Sequence, residues 1–227
     1  MRYSKLILIT SVICLVTALN ASAQFTYSFI HILEEGDGAS EIADGQIGVD
    51  QLFMDVSAVD STGVLFTFRN TDPEASSITD IYFDDGVLGN FDSLDNSDPG
   101  VAFSQFASPG NLPGGNNVSP AFVATASFDS DPPVQPNGIN PNEFLGITFN
   151  LQSGTAFEDV IDNLDDGTLR VGLHVQGFES GGSEAFVNNG RDGDNGNGNN
   201  VIPAPGAILL GSIGISTIGF LRRRYFI

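Results

Sequence analysis

The sequence predicts a mainly β protein: an antiparallel, sandwich-like domain with one short amphipathic helix. Apolar and polar residues alternate in several short segments, which is the pattern of strands with one buried face. Clusters of Asn, Asp, Pro and Gly separate these segments and predict turns. The chain has 18 Phe, no Trp and a single cysteine, Cys14, close to its start. Packing alone is therefore expected to hold the domain together, because no disulfide can form within it.

Five segments carry the strand pattern. Their predicted inward residues, in chain order, are Leu52, Met54 and Val56; Val64, Phe66 and Phe68; Ile81 and Phe83 around Tyr82; Leu145, Ile147, Phe149 and Leu151; and Leu169, Val171, Leu173 and Val175. Arg170 and His174 alternate with the last set, so they are expected to face outward.

One helix is predicted between the last two of these strands. Thr155–Glu158 fits a capping box, and Phe157, Val160, Ile161 and Leu164 recur at helical spacing. Asp166-Gly167 marks the end of the helix. Because a helix between two strands can form a crossover, a parallel strand pair stays open as an alternative. The apolar stripe predicts that Phe157→Ala destabilises the domain far more than His174→Ala.

The segments 107–120 and 129–141 are rich in Pro, Gly and Asn and are predicted to be long surface loops. Residues 188–200 contain mostly Asn and Gly and no apolar side chain, which is typical of a flexible linker. The β-rich domain is accordingly expected to span residues 24–187.

Candidate catalytic residues are few. His31 and His174 are the only histidines, and a joint site would require the fold to bring them together. Ser183 lies in Gly181–Ala185, which is close to a hydrolase nucleophile motif but ends in Ala instead of Gly. A polar strand face and a polar loop are the favoured interpretations, so no catalytic residue is predicted.

Carboxylates crowd one stretch, at Asp84, Asp85, Asp92, Asp95 and Asp98. A second group, Asp192 and Asp194, resembles a calcium loop but lacks its central Gly and closing Glu. Calcium binding is possible on this pattern, and solvated turns are the alternative. No other cofactor is expected, and the metal ligands stay unknown.

The first 23 residues predict a secretory signal peptide. Arg2 and Lys5 form its basic start, an apolar stretch follows over Leu6–Leu19, and Ala21-Ser22-Ala23 is a cleavage motif. The mature chain should then begin at Gln24. The Sec translocon and signal peptidase are the partners that such a signal implies.

Residues 201–227 predict a C-terminal sorting signal with a transmembrane helix. Pro203-Ala204-Pro205 begins this segment, Ala204–Leu221 carries no charge, and Arg222, Arg223 and Arg224 follow at once. Eighteen uncharged residues are near the minimum for a membrane span, and basic residues favour the cytoplasmic side. The tail is therefore expected to insert transiently in the inner membrane with its arginines inside.

This tail resembles the sorting signal of PEP-CTERM proteins, in a variant with Ala204 where the family usually has Glu. The resemblance implies processing near Pro203–Pro205 by an exosortase, a membrane transpeptidase of bacteria that make extracellular polysaccharide. The stretch 147–187 also resembles domains found ahead of such signals, and this likeness implies no activity.

The exported part has a net charge of −25, because three arginines stand against all 28 acidic residues. Such a charge excludes nucleic acid as a partner. Together with the tail, it predicts a non-enzymatic protein, secreted or held at the cell surface, with a structural or adhesive role in an extracellular polysaccharide or biofilm matrix. A lectin-like carbohydrate-binding module is the alternative if aromatics such as Tyr27 or Tyr82 are exposed on a strand face. A secreted glycan hydrolase is a further alternative if a groove contains paired carboxylates.

Overall fold

The computed structural model describes residues 23–84 and 86–188, which form ten strands, three helices and one 3-10 turn. The strands are β1 (Gln24–His31), β2 (Leu52–Ala58), β3 (Gly63–Asn70), β4 (Ser77–Asp84), β5 (Leu88–Asp95), β6 (Phe103–Gln105), β7 (Ala126–Ser130), β8 (Phe144–Leu151), β9 (Arg170–Gln176) and β10 (Glu184–Asn188). The helices are α1 (Ala39–Gln51), α2 (Val134–Asn137) and α3 (Phe157–Asp166), and the 3-10 turn is Gly115–Asn117.

The ten strands form one antiparallel sheet in the order β5-β8-β3-β2-β1-β10-β9-β4-β7-β6. β1 joins the two halves of the sheet, because Gln24–Ser28 pair with β2 and Phe29–His31 pair with β10. The mainly β, antiparallel class is confirmed. The two halves face each other as predicted for a sandwich, but they are continuous through β1 and curl into a near-barrel. α3 connects β8 and β9, which lie in different halves, so these two strands form no parallel pair.

Phenylalanines fill the space between the two halves. The Phe83 ring of β4 lies 5.1 Å from Phe66 of β3 and 4.8 Å from Phe149 of β8, both in edge-on contacts. Edge-on aromatic pairs add stability beyond the apolar area that they bury. The inward residues predicted from the sequence are buried, except Leu151, which is partly exposed.

The predicted helix is confirmed as α3. It begins one residue later than the proposed capping box, because the Asp159 carboxylate accepts the Ala156 N–H at 2.7 Å. It ends at Gly167 in the left-handed conformation (φ 78°), which glycine adopts without strain. Val160, Ile161 and Leu164 are buried, whereas Phe157 is half-buried against the Phe25 ring at 5.9 Å.

A second helix, α1, was not predicted from the sequence. It packs on β1 and β10 through two glycines rather than through an apolar stripe. A Cβ atom at Gly45 would lie 2.1 Å from Nδ1 of His31, and one at Gly48 would lie 2.2 Å from Cζ of Phe186. The prediction of one short helix was therefore incomplete, since this close approach depends on residues of distant strands.

The segment 106–125, named the strap here, crosses the outer face of β10, β9, β4 and β7. Its residues Leu112 and Phe122 are buried with Tyr82 and Val187 in a second apolar cluster, separate from the phenylalanine core. The prediction of a surface loop at 107–120 was wrong in this respect, because the strap covers sheet residues. The second predicted loop, 129–141, is also incorrect in part: it contains the end of β7, α2 and the fully buried Ile139.

One side chain closes part of the seam between the two edges of the sheet. Asn96, just after β5, donates to the carbonyl of Phe103 in β6 at 3.2 Å and accepts its N–H at 3.1 Å. The amide thereby replaces a strand neighbour for β6. Within residues 23–84 and 86–188, no helix is long and apolar enough to cross a bilayer.

Candidate functional site

Polar and titratable side chains form a row across the outer face of four strands. The strand register places Asp129 of β7 opposite Asp80 of β4, Asp80 opposite His174 of β9, and His174 opposite Ala185 of β10. Residues opposite each other on antiparallel strands share one face and lie in direct contact range. Positions that are up to 105 residues apart in the chain, from Asp80 to Ala185, therefore meet in one line.

Asp80 and His174 form a mostly buried pair at the centre of this row. Nδ1 of His174 lies 2.8 Å from Oδ2 of Asp80, and the Thr79 hydroxyl donates to the same oxygen at 2.9 Å. The His174 side chain is 15% exposed and the Asp80 side chain is 4% exposed. His174 does lie on the outer face, as predicted, but the expectation of an exposed histidine was wrong. Since Nδ1 is engaged by the carboxylate, Nε2 is the nitrogen left for a ligand.

Asp129 extends the row toward the edge of the sheet. Burial and the neighbouring Asp80 carboxylate raise the pKa of Asp129, while a hydrogen bond from the Ser108 N–H of the strap opposes this rise. Burial, Asp80 and Asp129 likewise raise the pKa of Tyr82, whose hydroxyl donates to the Pro109 carbonyl at 3.0 Å. The strap therefore contacts Tyr82, which lies on the same face as the row.

A cleft of about 270 Å³ opens beside His174. Its polar lining comes from the β1–α1 connection, from α1 and from the two adjacent strands, and consists of Glu34, Asp37, Glu41, His174, Ser183 and Glu184. Ile32, Ala185 and Pro113 of the strap complete the walls. A concave surface with this many carboxylates has a negative potential and favours cationic or hydroxyl-rich ligands.

Glu184 and His31 form a second histidine–carboxylate pair. Nε2 of His31 lies 2.8 Å from Oε2 of Glu184, beneath Gly45 of α1. Burial raises the pKa of Glu184, with smaller contributions from the Asp37 and Asp44 carboxylates, and the bond to His31 only partly opposes this.

The two histidines do not form a joint site. His31 is opposite Phe186, and His174 is opposite Ala185, so they point to opposite faces of the sheet. Ser183 and His174 line the same cleft, but no hydrogen bond joins them in the part of the chain that the structure describes. The arrangement therefore offers a histidine base and several carboxylates, without an aligned nucleophile.

The predicted carboxylate cluster is dispersed. Asp84 pairs with Arg170, Asp98 accepts the Phe144 N–H at 2.8 Å, and Asp92 and Asp95 bond to their own neighbours. Asp85 lies outside the described residues, as do Asp192 and Asp194. Among the residues described, no group of three or more His, Cys, Asp or Glu side chains is arranged to hold a metal ion.

Most of the predicted processing residues cannot be placed. Ala23 is exposed and directly precedes β1. Ala21, Pro203, Ala204, Pro205, Arg222, Arg223 and Arg224 lie outside the described residues. Tyr27 and Tyr82, the aromatics named for a sugar-binding face, are 1% and 0% exposed and belong to the two cores.

Sequence reasoning missed Asp80, Asp129 and Glu184 as members of a site. One signal was present for Asp80, which stands between the β-forming residues Thr79 and Ile81, although aspartate is disfavoured in strands. The pairing of the row could not be read from the sequence, since it depends on the register of four strands.

The comparisons with known proteins give no relative. No family model matches the chain, and neither a curated protein nor a solved structure was found to be similar.

Proposed function

We propose that the chain is the precursor of a secreted or cell-surface protein that loses both ends, and that its β domain acts structurally or adhesively in an extracellular polysaccharide matrix without catalysing a reaction. Removal of residues 1–23 is assigned to signal peptidase, and processing near Pro203–Pro205 to an exosortase. The main support is the position of the first and last strands among the described residues. β1 begins at Gln24, the predicted mature start, and β10 ends at Asn188, where the predicted linker begins.

The last described strand has a neighbour on each side. β10 pairs with β1 on one side and with β9 on the other. The buried Asn188 side chain accepts the Val171 N–H at 2.7 Å, which fixes the end of the strand. The last described strand thus has its pairing partners within residues 23–188, and this favours the interpretation of residues 201–227 as a removable signal.

The surface charge is consistent with a solvated extracellular role. The described residues contain two arginines and no lysine, and both arginines are paired: Arg69 with Asp55 at 2.6 Å and Arg170 with Asp84. The remaining carboxylates are largely uncompensated. A strongly anionic exterior keeps proteins soluble and separate from one another and from anionic lipid.

The test is the intact mass of the protein recovered from its host. We expect a chain that begins at Gln24 and ends close to Pro203. Replacing Pro203 and Pro205 with Ala should leave an uncut, membrane-bound chain, as should deletion of the host exosortase. Pro73→Ala, in an exposed turn, is the matched control and should be processed normally. Replacing Arg222, Arg223 and Arg224 with Ser should instead mislocalise the chain.

A proline variant that is cut and released like the unaltered chain would refute the exosortase assignment. Recovery of the unaltered chain with Arg222–Arg224 still attached would indicate a permanent membrane anchor. Both results test the processing of the tail and do not test the structure of the β domain.

The acidic cleft is the observation that favours a second candidate, a secreted glycan hydrolase. Such enzymes need two carboxylates on either side of the bond that is cut, and Glu34, Asp37 and Glu41 line the cleft. Release of reducing ends from host polysaccharide, lost in Glu41→Gln, would favour the hydrolase over the structural role. Binding of the same polysaccharide without cleavage would instead favour the lectin-like alternative.

A further inference from the structure

The side chains that line the acidic cleft are rich in hydrogen-bond acceptors and poor in donors. Four of them are the carboxylates of Glu34, Asp37, Glu41 and Glu184, and the Ser183 hydroxyl is beside them. Among the described residues, no lysine or arginine lines the cleft. Because an ionised carboxylate can only accept hydrogen bonds, the cleft lacks the donors that an anionic ligand would need.

Backbone N–H groups fix two of these carboxylates without using all of their acceptor positions. The Glu34 N–H donates to Oδ2 of Asp37 at 2.7 Å, and the Gly38 N–H donates to Oε2 of Glu41 at 3.1 Å. An ionised carboxylate has about four acceptor positions, so each group keeps capacity for a further donor. The turn before α1 and the first turn of this helix therefore hold acceptors in place at the wall of the cleft.

His174 adds an acceptor that carries no negative charge. Its Nδ1 lies 2.8 Å from Oδ2 of Asp80, and the Thr79 hydroxyl donates to the same oxygen. Since the carboxylate accepts, Nδ1 carries a proton, and Nε2 of the neutral ring is then an acceptor. His174 lines the cleft, so the imidazole has the same hydrogen-bond polarity as the carboxylates around it.

Glu184 has an oxygen without a donor although its side chain is mostly buried. The side chain is 8% exposed, and its Oε2 lies 2.8 Å from Nε2 of His31. In the part of the chain that the structure describes, no hydrogen bond to its Oε1 is found. A buried acceptor that lacks its hydrogen bond is costly, more so when it is charged. Independently of the other acids, Glu184 thus indicates that a ligand supplies a donor here.

We propose that the cleft binds a protonated primary amine, carried by an amino-sugar unit of the matrix polysaccharide. An ammonium group has three donors and a positive charge, which complement carboxylates and a neutral imidazole. A neutral ligand would leave the carboxylates without a counter-charge, and an anion would be repelled.

The size of the cleft limits the ligand to a small unit. Its volume is about 270 Å³, which is below the range of about 300–1,000 Å³ for pockets that hold drug-sized ligands. One sugar ring is therefore a better match than a longer stretch of polysaccharide. The polysaccharide as the source of the amine rests on the proposed matrix role, whereas recognition of an ammonium group rests on the cleft alone.

Titration with glucosamine, followed by NMR chemical shifts, tests the proposal on the full chain in the form recovered from its host. N-acetylglucosamine and glucose are the matched ligands, because they keep the ring and lack the charged amine. Glucosamine should bind at least about tenfold more tightly than either, the order expected for one charge-assisted hydrogen bond. Ethanolamine, which has the amine but no ring, should bind more weakly than glucosamine.

Three variants test whether binding occurs in the cleft. Glu34→Gln removes one charge from the cleft and should weaken glucosamine binding about tenfold. Glu35→Gln is the matched control, because Glu35 is exposed and is not among the residues that line the cleft, and it should bind like the unaltered protein. Ser183→Trp fills the cleft at an exposed position without changing the net charge, and it should abolish binding.

Each part of the proposal can be overturned separately. Absence of glucosamine binding, or equal affinities for glucosamine and N-acetylglucosamine, would overturn recognition of an amine. Equal affinities for glucosamine and ethanolamine would overturn the amino-sugar source. Binding that weakens equally in Glu34→Gln and Glu35→Gln, or persists in Ser183→Trp, would show attraction by net charge rather than a site in the cleft. None of these outcomes depends on how the tail is processed, so the two proposals can fail independently.

Discussion

Gly48→Ala in α1 should destabilise the domain, although the same change usually stabilises a helix. Alanine is favoured over glycine by about 1 kcal/mol within helices, because glycine loses more backbone freedom on folding. At this position, however, the new Cβ would lie 2.2 Å from Cζ and 2.5 Å from Cε1 of Phe186. Ordinary contacts between carbon atoms lie near 3.5–4.0 Å.

Phe186 has little room to move away. Its ring is fully buried, and the His31 ring lies 5.5 Å from it on the neighbouring strand. His31 is held by Glu184. Overpacking of this kind costs about 1–3 kcal/mol, and larger displacements cost more. Since α1 would have to lift from the sheet by an ångström or more, we expect the loss to exceed the helix gain and to leave a net destabilisation of about 1–2 kcal/mol.

Chemical denaturation of the protein measures the loss of stability, and the melting temperature should fall by about 3–6 °C for a domain of this size. The matched control is Gly110→Ala, where a Cβ meets no atom within 4 Å. That variant should be neutral or more stable by about 0.4–1 kcal/mol, because alanine restricts the unfolded chain. A Gly48→Ala variant as stable as Gly110→Ala would show that α1 does not pack on Phe186.

Stability should also depend on two partly covered acids, Glu184 and Asp129, and on His174. The pKa values of Glu184 and Asp129 are raised in the folded protein, so the folded state binds protons more tightly than the unfolded state. The free energy of unfolding should therefore rise as the pH falls from neutrality through these folded-state pKa values. Denaturation midpoints at about pH 7.5 and about pH 5 measure this rise, which Glu184→Gln combined with Asp129→Asn should flatten. The structure changes the expectation from the sequence that Phe157→Ala is far more destabilising than His174→Ala. Phe157 is only half-buried, and loss of the His174 ring leaves Asp80 buried without its main partner, so each change should cost about 1–3 kcal/mol. A negligible cost for His174→Ala would show that Asp80 does not need this histidine.

Strands and one helix could be predicted because their signals are local. The inward residues of β3, Val64, Phe66 and Phe68, alternate within six residues, and the stripe of α3 completes two turns. α1 offers no such signal. Its buried positions are Asp44, Gly45, Gly48 and Gln51, which read as exposed or helix-breaking residues. Packing against the aromatic side chains of β1 and β10 overrides this local preference.

The candidate site could not be predicted from the sequence, for a different reason. His174 was correctly assigned to the outer face, but whether an outer face meets water depends on what crosses it. Here the strap crosses it, and within the strap only Leu112 and Phe122 have large apolar side chains that are buried. Two isolated apolar residues in a segment rich in Pro, Gly and Asn do not distinguish a covering segment from an exposed loop. Leu112 packs over Gly172 of β9, where a Cβ atom would lie 2.6 Å from its Cδ2, and this position exists only after β9 has paired with β4 and β10.

The edges of the sheet show how the domain limits pairing with other chains. The only cysteine precedes Gln24, so no disulfide supports the folded part. An open sheet of ten strands also has two edges that could pair with other chains. Asn96 occupies the backbone groups of Phe103 in β6, and β5 departs from regular register with β8 twice while exposing Asp92. Bulges and charges on an edge strand disfavour pairing with a second copy. The same acidic residues that repel other chains must be kept away from the core. Four acids among the described residues, Asp44, Asp55, Asp80 and Glu184, are nevertheless buried, and each has a bonding partner: Ser180, Arg69, His174 and His31, respectively.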